Sequence, residues 1–276
     1  MKISYGTYGM PTESMETAVP LLAQMGYDGI ELCVADRFPT APGKLDPKAR
    51  AALAALLADQ GVTLNALMML SNVMADEAGH EQNLRDLGDA CTLAHDLAMA
   101  EPCVISVTCG GKPEPWDDTK DTLVARLREW AAIAGREGCV VALEPHVGAI
   151  LDRPERGAWA VNEVGSPALR LNFDISHFDI QGYAVPYTVA LLAPLAVHAH
   201  VKDGRMVDGK VQFLLPGEGE FDYVAYLKSM VRAGYDGYIT VEISGQLSGR
   251  EGYDPYAAAQ FSYRTLSHAC VEAGLR

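Results

Sequence analysis

The chain is poor in basic side chains: 22 Lys and Arg stand against 36 Asp and Glu, which gives 276 residues a formal net charge of −14. A field of that sign repels phosphate backbones and anionic lipid surfaces, which argues against nucleic-acid and membrane partners. The chain has no apolar run of the length of about 18 residues that a membrane span needs, and its start, MKISYGTYGM, lacks the apolar stretch of a signal peptide. We therefore expect a cytoplasmic protein.

Disulfide and dinucleotide-binding signatures are also missing. None of the six cysteines forms a C-x-x-C pair, and several lie inside apolar runs, which predicts reduced core cysteines. No G-x-G-x-x-G follows the first apolar run, which argues against an open doubly wound sheet. The cysteines are Cys33, Cys91, Cys103, Cys109, Cys139 and Cys270.

Short β-branched apolar runs alternate with longer helical patterns along the whole chain. Eight such units in about 250 residues is the count of a (β/α)8 TIM barrel, and no linker divides the chain, so we predict one domain over residues 1–276. The open doubly wound sheet is the alternative fold. The runs predict strands near 2–8, 29–34, 62–70, 103–109, 139–146, 169–176, 196–202 and 238–243. The helical patterns cover 14–25, 46–60, 81–99, 119–136, 154–164, 185–194, 222–233 and 256–273.

Polar side chains follow or end the last four predicted strands, and in a TIM barrel these strand ends meet at one mouth. Three carboxylates and one imidazole there suit one divalent cation: Mn, Mg, Co or Zn. We call these four residues the quartet: Glu144, Asp174, His200 and Glu242. The alternative for any single carboxylate is a structural pair with a lysine.

The stretch A-V-H-A-H-V-K-D, residues 196–203, places three polar side chains at every second position. On a strand, His198, His200 and Lys202 therefore share one face. His198 lies one pleat deeper, which is typical of a packed core histidine. Asp203 either caps a loop or holds Lys202.

Motifs across nearly the whole chain resemble the xylose isomerase-like TIM barrel family, also called the sugar phosphate isomerase/epimerase family. The resemblance implies that the quartet holds one divalent cation and that His177 and Lys202 face the substrate, with Lys202 at the rim. It also implies a small hydroxy-carbonyl substrate, and a homodimer is common among such barrels. The motifs are M-G-Y-D-G-I-E-L (25–32), L-E-P (143–145), D-I-S-H (174–177), H-V-K-D (200–203), G-E-G-E-F-D-Y (217–223) and V-E-I (241–243).

A metal-chelated hydroxy-carbonyl substrate has a polarised C=O and an acidified α-proton. Glu144 and Glu242 are the candidate catalytic groups, each acting as both ligand and base. The proton abstraction gives an enediolate held by the metal, whose oxygens His177 or Lys202 could stabilise. Return of the proton gives isomerisation or epimerisation, and loss of a β-hydroxyl gives dehydration.

The stretch E-P-H-V-G-A-I departs from the E-P-L-N-R of ketose 3-epimerases and places Ile150 near their second Glu, which weakens that assignment. Glu144-x-His146, with His177 and Lys202, also resembles 3-dehydroshikimate dehydratases, so a lyase acting on a keto-carbocycle is the alternative function. In those enzymes histidines and a lysine contact the substrate, which adds His146 to the substrate-binding set. A carboxylate-binding arginine would come from Arg37, Arg153 or Arg205, and we select Arg205.

Two other classes of protein are alternatives to an isomerase or a lyase. A zinc-dependent DNA-repair nuclease of the same barrel needs histidines after the second and third strands, which N-A-L-M-M-L (65–70) and V-I-S-V-T-C-G (104–110) lack. A non-catalytic binding barrel would hold metal without turnover. The long insert at 204–221 is a candidate lid. Apolar walls are expected from Phe38, Trp116 and Phe213, with ordinary loop packing as the alternative.

Overall fold

The structure is a computed structural model that describes residues 1–276 of the chain. Its strands are β1 (Lys2–Gly6), β2 (Gly29–Cys33), β3 (Thr63–Asn72), β4 (Cys103–Thr108), β5 (Cys139–Glu144), β6 (Leu169–Asn172), β7 (Ala196–Val201), β8 (Asp203–Val207), β9 (Lys210–Leu214) and β10 (Tyr238–Val241). Eight of them close into a parallel barrel in the order β1-β10-β7-β6-β5-β4-β3-β2. The predicted (β/α)8 TIM barrel is therefore confirmed.

Helices connect these strands around the outside of the barrel. They are α1 (Met15–Met25), α2 (Pro47–Asp59), α3 (Glu77–Asp96), α4 (Trp116–Arg136), α5 (Pro154–Val164), α6 (Ser176–Asp179), α7 (Val185–Leu192), α8 (Tyr223–Arg232), α9 (Gly245–Ser248) and α10 (Pro255–Glu272). None of them combines the length and the apolar character that crossing a bilayer requires. The sequence predicts all of them except the two one-turn helices α6 and α9, which lie at the barrel mouth.

Two differences from the predicted elements matter for the site. Strand β6 ends at Asn172, so Asp174 follows the strand instead of lying within it, and His177 is the second residue of the short helix α6. The insert predicted as a loop contains an antiparallel hairpin of β8 and β9. Its turn is Asp208-Gly209, and both residues have positive φ, 49° and 73°. An Asp-Gly pair with this backbone is the preferred two-residue hairpin turn, and the sequence carried that signal.

The inner face of the barrel is lined by small and polar side chains. Ser4, Asn65 and Thr240 form a hydrogen-bonded chain there, with 2.6 Å from Ser4 Oγ to Asn65 Oδ1 and 3.3 Å from Asn65 Nδ2 to Thr240 Oγ1. His200 pairs in register with Thr240, and His198 with Asn172. The two histidines are buried on this same face, as their alternation predicts. Small neighbours leave the barrel interior room for a layer of imidazoles and carboxylates.

Helix α2 shows how local sequence sets an element boundary. Asp46 caps the helix, with its Oδ1 accepting from Ala49 N at 2.8 Å, and Pro47 takes the first helical position. At the other end, Gly61 adopts a φ of 65° before β3 begins. A side chain at Gly61 would be strained by that backbone, so the glycine permits the sharp turn.

We predict that Asp46→Ala lowers the free energy of unfolding by about 1 kcal/mol, because the N–H of Ala49 loses its acceptor. Urea unfolding followed by circular dichroism measures this difference. Asp59→Ala at the last position of the same exposed helix is the matched control, and it should be neutral or slightly stabilising because it removes a negative charge from the helix C-terminus. Equal losses in both variants would contradict the capping role.

Candidate metal centre

The structure brings the quartet together at the barrel mouth. Glu144 ends β5, Asp174 follows β6, His200 lies in β7, and Glu242 directly follows β10. One ligand atom from each residue lies within 4.8 Å of the others. His200 Nδ1 is 3.3 Å from Glu144 Oε1 and 3.6 Å from Glu242 Oε2. The two glutamates therefore flank the imidazole, and all four side chains are buried, with exposed fractions of 6% or less.

Lys202 lies inside this arrangement, not at its rim as predicted. Its Nζ contacts the carboxylates of both Asp174 and Glu242, lies 3.5 Å from His177 Nε2, and only 3% of the residue is exposed. Burial lowers the pKa of the ammonium, but Asp174, Glu242 and Glu144 outweigh it and hold the pKa above its usual value. The side chain turns inward because an ammonium at this depth needs carboxylate partners.

A fourth carboxylic residue, absent from the predicted site, supports His200 from the opposite side. Glu31 on β2 is fully buried, and its Oε2 lies 2.9 Å from His200 Nε2 while its Oε1 lies 3.1 Å from His198 Nε2. Burial by itself would raise the pKa of the Glu31 carboxyl, but His200 and His198 together have the larger effect and lower the pKa to about 2. The ionised Glu31 thus fixes the imidazole ring with Nδ1 facing Glu144 and Glu242.

The signal for Glu31 was a lone carboxylate in the otherwise apolar strand G-I-E-L-C. His198 takes the supporting position predicted for it: it is buried, its ring centroid lies 4.9 Å from that of His200, and it shares Glu31. Burial is the main reason that the pKa of His198 falls below its ordinary value.

Two imidazoles and a phenyl ring cover the quartet. His177 Nε2 lies 3.7 Å from Asp174 Oδ2 and 3.8 Å from Glu144 Oε1, and the His177 and His146 rings are 3.8 Å apart. Phe213, on the β8–β9 hairpin, lies 5.6 Å from His177 and 6.2 Å from His146. Burial and the neighbouring His177 lower the pKa of His146 to about 4, which keeps that imidazole neutral near pH 7. The predicted insert therefore reaches the site through Phe213.

Other predicted contact residues lie elsewhere. Arg205 is exposed on β8, where its Nε donates to Gln212 Oε1 at 2.8 Å, so the structure does not bring it to the quartet and its substrate role stays a prediction. Phe38 packs with Tyr8, their ring centroids 6.0 Å apart. Trp116 begins α4 and packs against another helix, α5.

Asp203 caps a loop, which was one of its two predicted roles. Its Oδ2 accepts from Gly217 N at 3.0 Å and Gly219 N at 2.7 Å, and its Oδ1 accepts from the Tyr223 hydroxyl at 2.6 Å. A Cβ on Gly219 would come within 2.9 Å of the Asp203 carboxylate. Glycine at 219 therefore permits the close approach that ties the segment after the hairpin to Asp203, the first residue of β8.

The residues at the mouth fit a divalent cation by donor chemistry and by charge. Four carboxylates, those of the quartet and Glu31, are buried at the mouth, and the single lysine ammonium there contacts two of them. His177 Nδ1 and Asn172 Oδ1 are buried beside them without a hydrogen-bond partner. Three carboxylate oxygens and one imidazole nitrogen form a ligand set that Mn, Mg, Co and Zn all accept.

Comparison with known proteins agrees with the barrel fold. The sequence model of the family described as xylose isomerase-like TIM barrel matches residues 19–261. That span covers most of the chain, and this protein belongs to the xylose isomerase-like TIM barrel family. Among curated relatives, it is 23% identical over 212 residues to the rhizopine catabolism protein MocC of Rhizobium meliloti, covering 71% of this chain and 64% of that protein.

A second relative is the human protein named "Putative hydroxypyruvate isomerase", 30% identical over 122 residues that cover 42% of each chain. The matched regions thus span less than two thirds of both of these relatives.

Solved structures superpose over nearly the whole chain. A D-psicose 3-epimerase determined with D-fructose has a TM-score of 0.80 at 14% identity, covering 99% of this chain and 100% of that one. The IOLI protein with a binding zinc atom gives 0.79 at 19% identity, covering 99% and 98%. A probable 3-DHS dehydratase, AsbF of Bacillus anthracis, gives 0.77 at 19% identity, covering 97% and 99%. These likenesses show the shared barrel.

We predict that Lys202→Met increases Mn²⁺ affinity by at least about tenfold, because the ammonium and a metal ion compete for the same Asp174 and Glu242 oxygens. Titration calorimetry on chelator-stripped protein measures the change. The metal-free variant should also melt at a lower temperature and be rescued by Mn²⁺, since its buried carboxylates lose their counter-charge. The control is Arg205→Met, which removes an exposed cation three residues away. Equal or weaker binding by Lys202→Met would contradict this competition.

We predict that Glu31→Gln weakens Mn²⁺ binding by about 10–100-fold, because His200 loses the carboxylate that orients its ring. The same titration measures the loss. The matched control is Glu129→Gln, which changes another glutamate that contacts a buried histidine, His80, at 3.1 Å on the outside of the barrel. An unchanged affinity in Glu31→Gln would show that the ring is held by other groups.

Proposed function

We propose that this protein is a divalent-metal-dependent isomerase or epimerase that acts on a small hydroxy-carbonyl compound of the sugar or polyol class. The observation that carries the proposal is that Glu144 and Glu242 both lie within 3.6 Å of His200 Nδ1 in a buried mouth. The two glutamates extend from strands β5 and β10, which are separated in the barrel by β6 and β7. A substrate between them would present opposite faces to two carboxylates.

A divalent ion held by the quartet would polarise the substrate carbonyl and make the neighbouring C–H acidic. The protein itself supplies the proton acceptors. Burial opposes ionisation of Glu144, but hydrogen bonds from His177 and His200 and the charge of Lys202 hold its pKa well below the ordinary range. An ionised carboxylate can remove the α-proton, and a carboxyl group that carries a proton on the other face can return one.

Lys202 and His177 are placed to handle the negative charge that develops on oxygen. The two groups lie 3.5 Å apart directly over Asp174. Substrate oxygens that take over the N–H donors of Lys202 would free Asp174 and Glu242 to ligate the ion. The preorganised ammonium then stabilises the enediolate without solvent reorganisation.

Phe213 and the hairpin that carries it control access. The quartet is covered by Phe213, His146 and His177, so substrate entry requires the hairpin of β8 and β9 to move outward. Closure afterwards excludes water from the enediolate. The predicted lid function of the 204–221 insert is part of this proposal.

The family relatives support this reaction class. Names among them include a D-psicose 3-epimerase and a hydroxypyruvate isomerase, and both reactions pass through removal of a proton next to a carbonyl. The zinc atom of the IOLI protein supports a cation at the barrel. Mn, Mg, Co and Zn all match the donor set, and we propose manganese as the first to test.

Dehydration of a keto-carbocycle is the second candidate function. The close contact of the His146 and His177 rings, 3.8 Å apart, favours it because the Lys202 ammonium beside His177 could protonate a departing hydroxyl. The structural likeness to a probable 3-DHS dehydratase points the same way.

Metal analysis combined with solvent-deuterium exchange tests the proposal. Chelator-stripped protein reloaded with Mn²⁺ is offered ketoses, inososes, hydroxypyruvate and 3-dehydroshikimate in D2O, and the products are followed by NMR. The proposal predicts one equivalent of metal at the quartet and deuterium at an α-carbon of at least one ketose, inosose or hydroxypyruvate. Loss of water from 3-dehydroshikimate alone would favour the lyase. Bound metal with no exchange on any compound would indicate a non-catalytic binding barrel.

We predict that Glu242→Gln lowers the exchange rate by at least about 100-fold at saturating Mn²⁺, because the amide keeps an oxygen for the metal but cannot accept a proton. Exchange and metal occupancy are measured on the same sample, so that loss of the base is separated from loss of the ligand. Glu220→Gln, an exposed change near the end of the insert, is the control. Full exchange in Glu242→Gln would remove this residue from the proton-transfer step.

A further inference from the structure

A second group of metal-ligating side chains lies far from the quartet, at the N-terminal end of the barrel. Cys103 and Cys139 are the first residues of the neighbouring strands β4 and β5, and they pair in register. Cys91 and His95 lie one turn apart on α3, a spacing that places both on one face of a helix. We call these four residues the thiol cluster. The three cysteines are buried and free, and His95 is exposed.

The distances within the thiol cluster are close to those between ligands that share a tetrahedral ion. One ligand atom each from His95, Cys103 and Cys139 lies within 4.8 Å of the other two. Cys103 Sγ is 3.9 Å from His95 Nδ1, the nitrogen that would bind the ion, and Cys139 Sγ is 3.9 Å from the other ring nitrogen, Nε2. Two ligands bound at about 2.0–2.3 Å to one tetrahedral zinc would be separated by about 3.5 Å. Cys91 lies beside Cys139 and is the candidate fourth ligand.

His95 is held in the tautomer that a metal ligand needs. Its Nε2 lies 2.7 Å from the carbonyl oxygen of Glu137, the residue that follows α4. Because a carbonyl can only accept, Nε2 carries the proton and Nδ1 keeps a free lone pair, which faces Cys103. A backbone carbonyl on the second ring nitrogen is the usual support of a metal-bound histidine.

We propose that the thiol cluster is a second metal site, specific for a thiophilic divalent ion such as Zn²⁺, with His95, Cys103 and Cys139 as ligands and Cys91 completing a Cys₃His set. The thiol protons now directed at the carbonyls of Met99 and Glu137 leave on binding. The exposed His95 ring is the entry point. The bound ion fastens the end of α3 to the starts of β4 and β5.

The ligand chemistry separates this site from the quartet. Two or three thiolates and one imidazole favour soft, tetrahedral ions, whereas three carboxylates and one imidazole accept harder ions such as Mn²⁺. The two sites also lie at opposite ends of the same strands, since Cys139 begins β5 and Glu144 ends it. A signal that comes only from metal-bound thiolate therefore reports on the thiol cluster and not on the quartet.

Titration of the full-length, reduced and chelator-stripped protein with Co²⁺ tests the proposal. Thiolate ligands produce a sulfur-to-cobalt charge-transfer band in the near ultraviolet, which the oxygen and nitrogen donors of the quartet do not give. We expect the band to saturate with one Co²⁺ at the thiol cluster, in addition to the Co²⁺ that the quartet takes up, and we expect Zn²⁺ to remove it. The band should persist in Asp174→Asn, which alters only the quartet.

Three variants decide the assignment. Cys139→Ser should abolish the band, and Cys270→Ser, which changes another buried free cysteine on α10, should leave it intact. His95→Gln changes an exposed side chain and should weaken Co²⁺ binding by at least about tenfold with the fold preserved, so it decides the matter even if Cys139→Ser does not fold. Absence of the thiolate band in the wild-type protein, or an undiminished band in His95→Gln, would overturn the proposal.

Discussion

The barrel mouth is organised by the need to compensate buried negative charge. Four carboxylates, from Glu31 and the three acidic members of the quartet, lie within a layer where uncompensated ionised groups would each cost several kcal/mol. Lys202 neutralises two of them directly, and the imidazoles of His177 and His200 contact the rest. The same requirement that holds Lys202 inward underlies the proposed binding of a divalent ion at the mouth, so the residues that balance the buried charge are also those proposed to act.

The pairing of Glu31 with His200 links the two halves of the barrel to this charge layer. Strands β2 and β7 are not neighbours, because β1 and β10 separate them. The contact therefore passes across the barrel interior, which the small side chains Ser4 and Thr240 leave open. Glu31 at Nε2 and the two glutamates Glu144 and Glu242 at Nδ1 fix the orientation of the His200 imidazole. That orientation makes Nδ1 the nitrogen that faces the quartet.

Much of the fold and the quartet could be predicted because each follows from a local rule. The alternation of strands and helices determines the barrel, and the carboxyl ends of parallel strands must converge, which brings Glu144 and Glu242 together. Glu31 could not be assigned in this way, because its partner lies 169 positions along the chain and a single strand does not reveal what it faces. The reach of Lys202 into the quartet depends on charge balance in three dimensions. The hairpin, in contrast, was predictable from Asp208-Gly209.

The central claim is that the quartet binds a divalent ion in place of the Lys202 ammonium. A crystal structure of the Mn²⁺-soaked protein, with an anomalous difference map at the manganese edge, tests it most directly. We predict one peak at about 2.0–2.3 Å from an oxygen of each quartet carboxylate and from His200 Nδ1, with Lys202 Nζ withdrawn from Asp174. A map without a peak at the barrel mouth, and with Lys202 still between Asp174 and Glu242, would contradict the account.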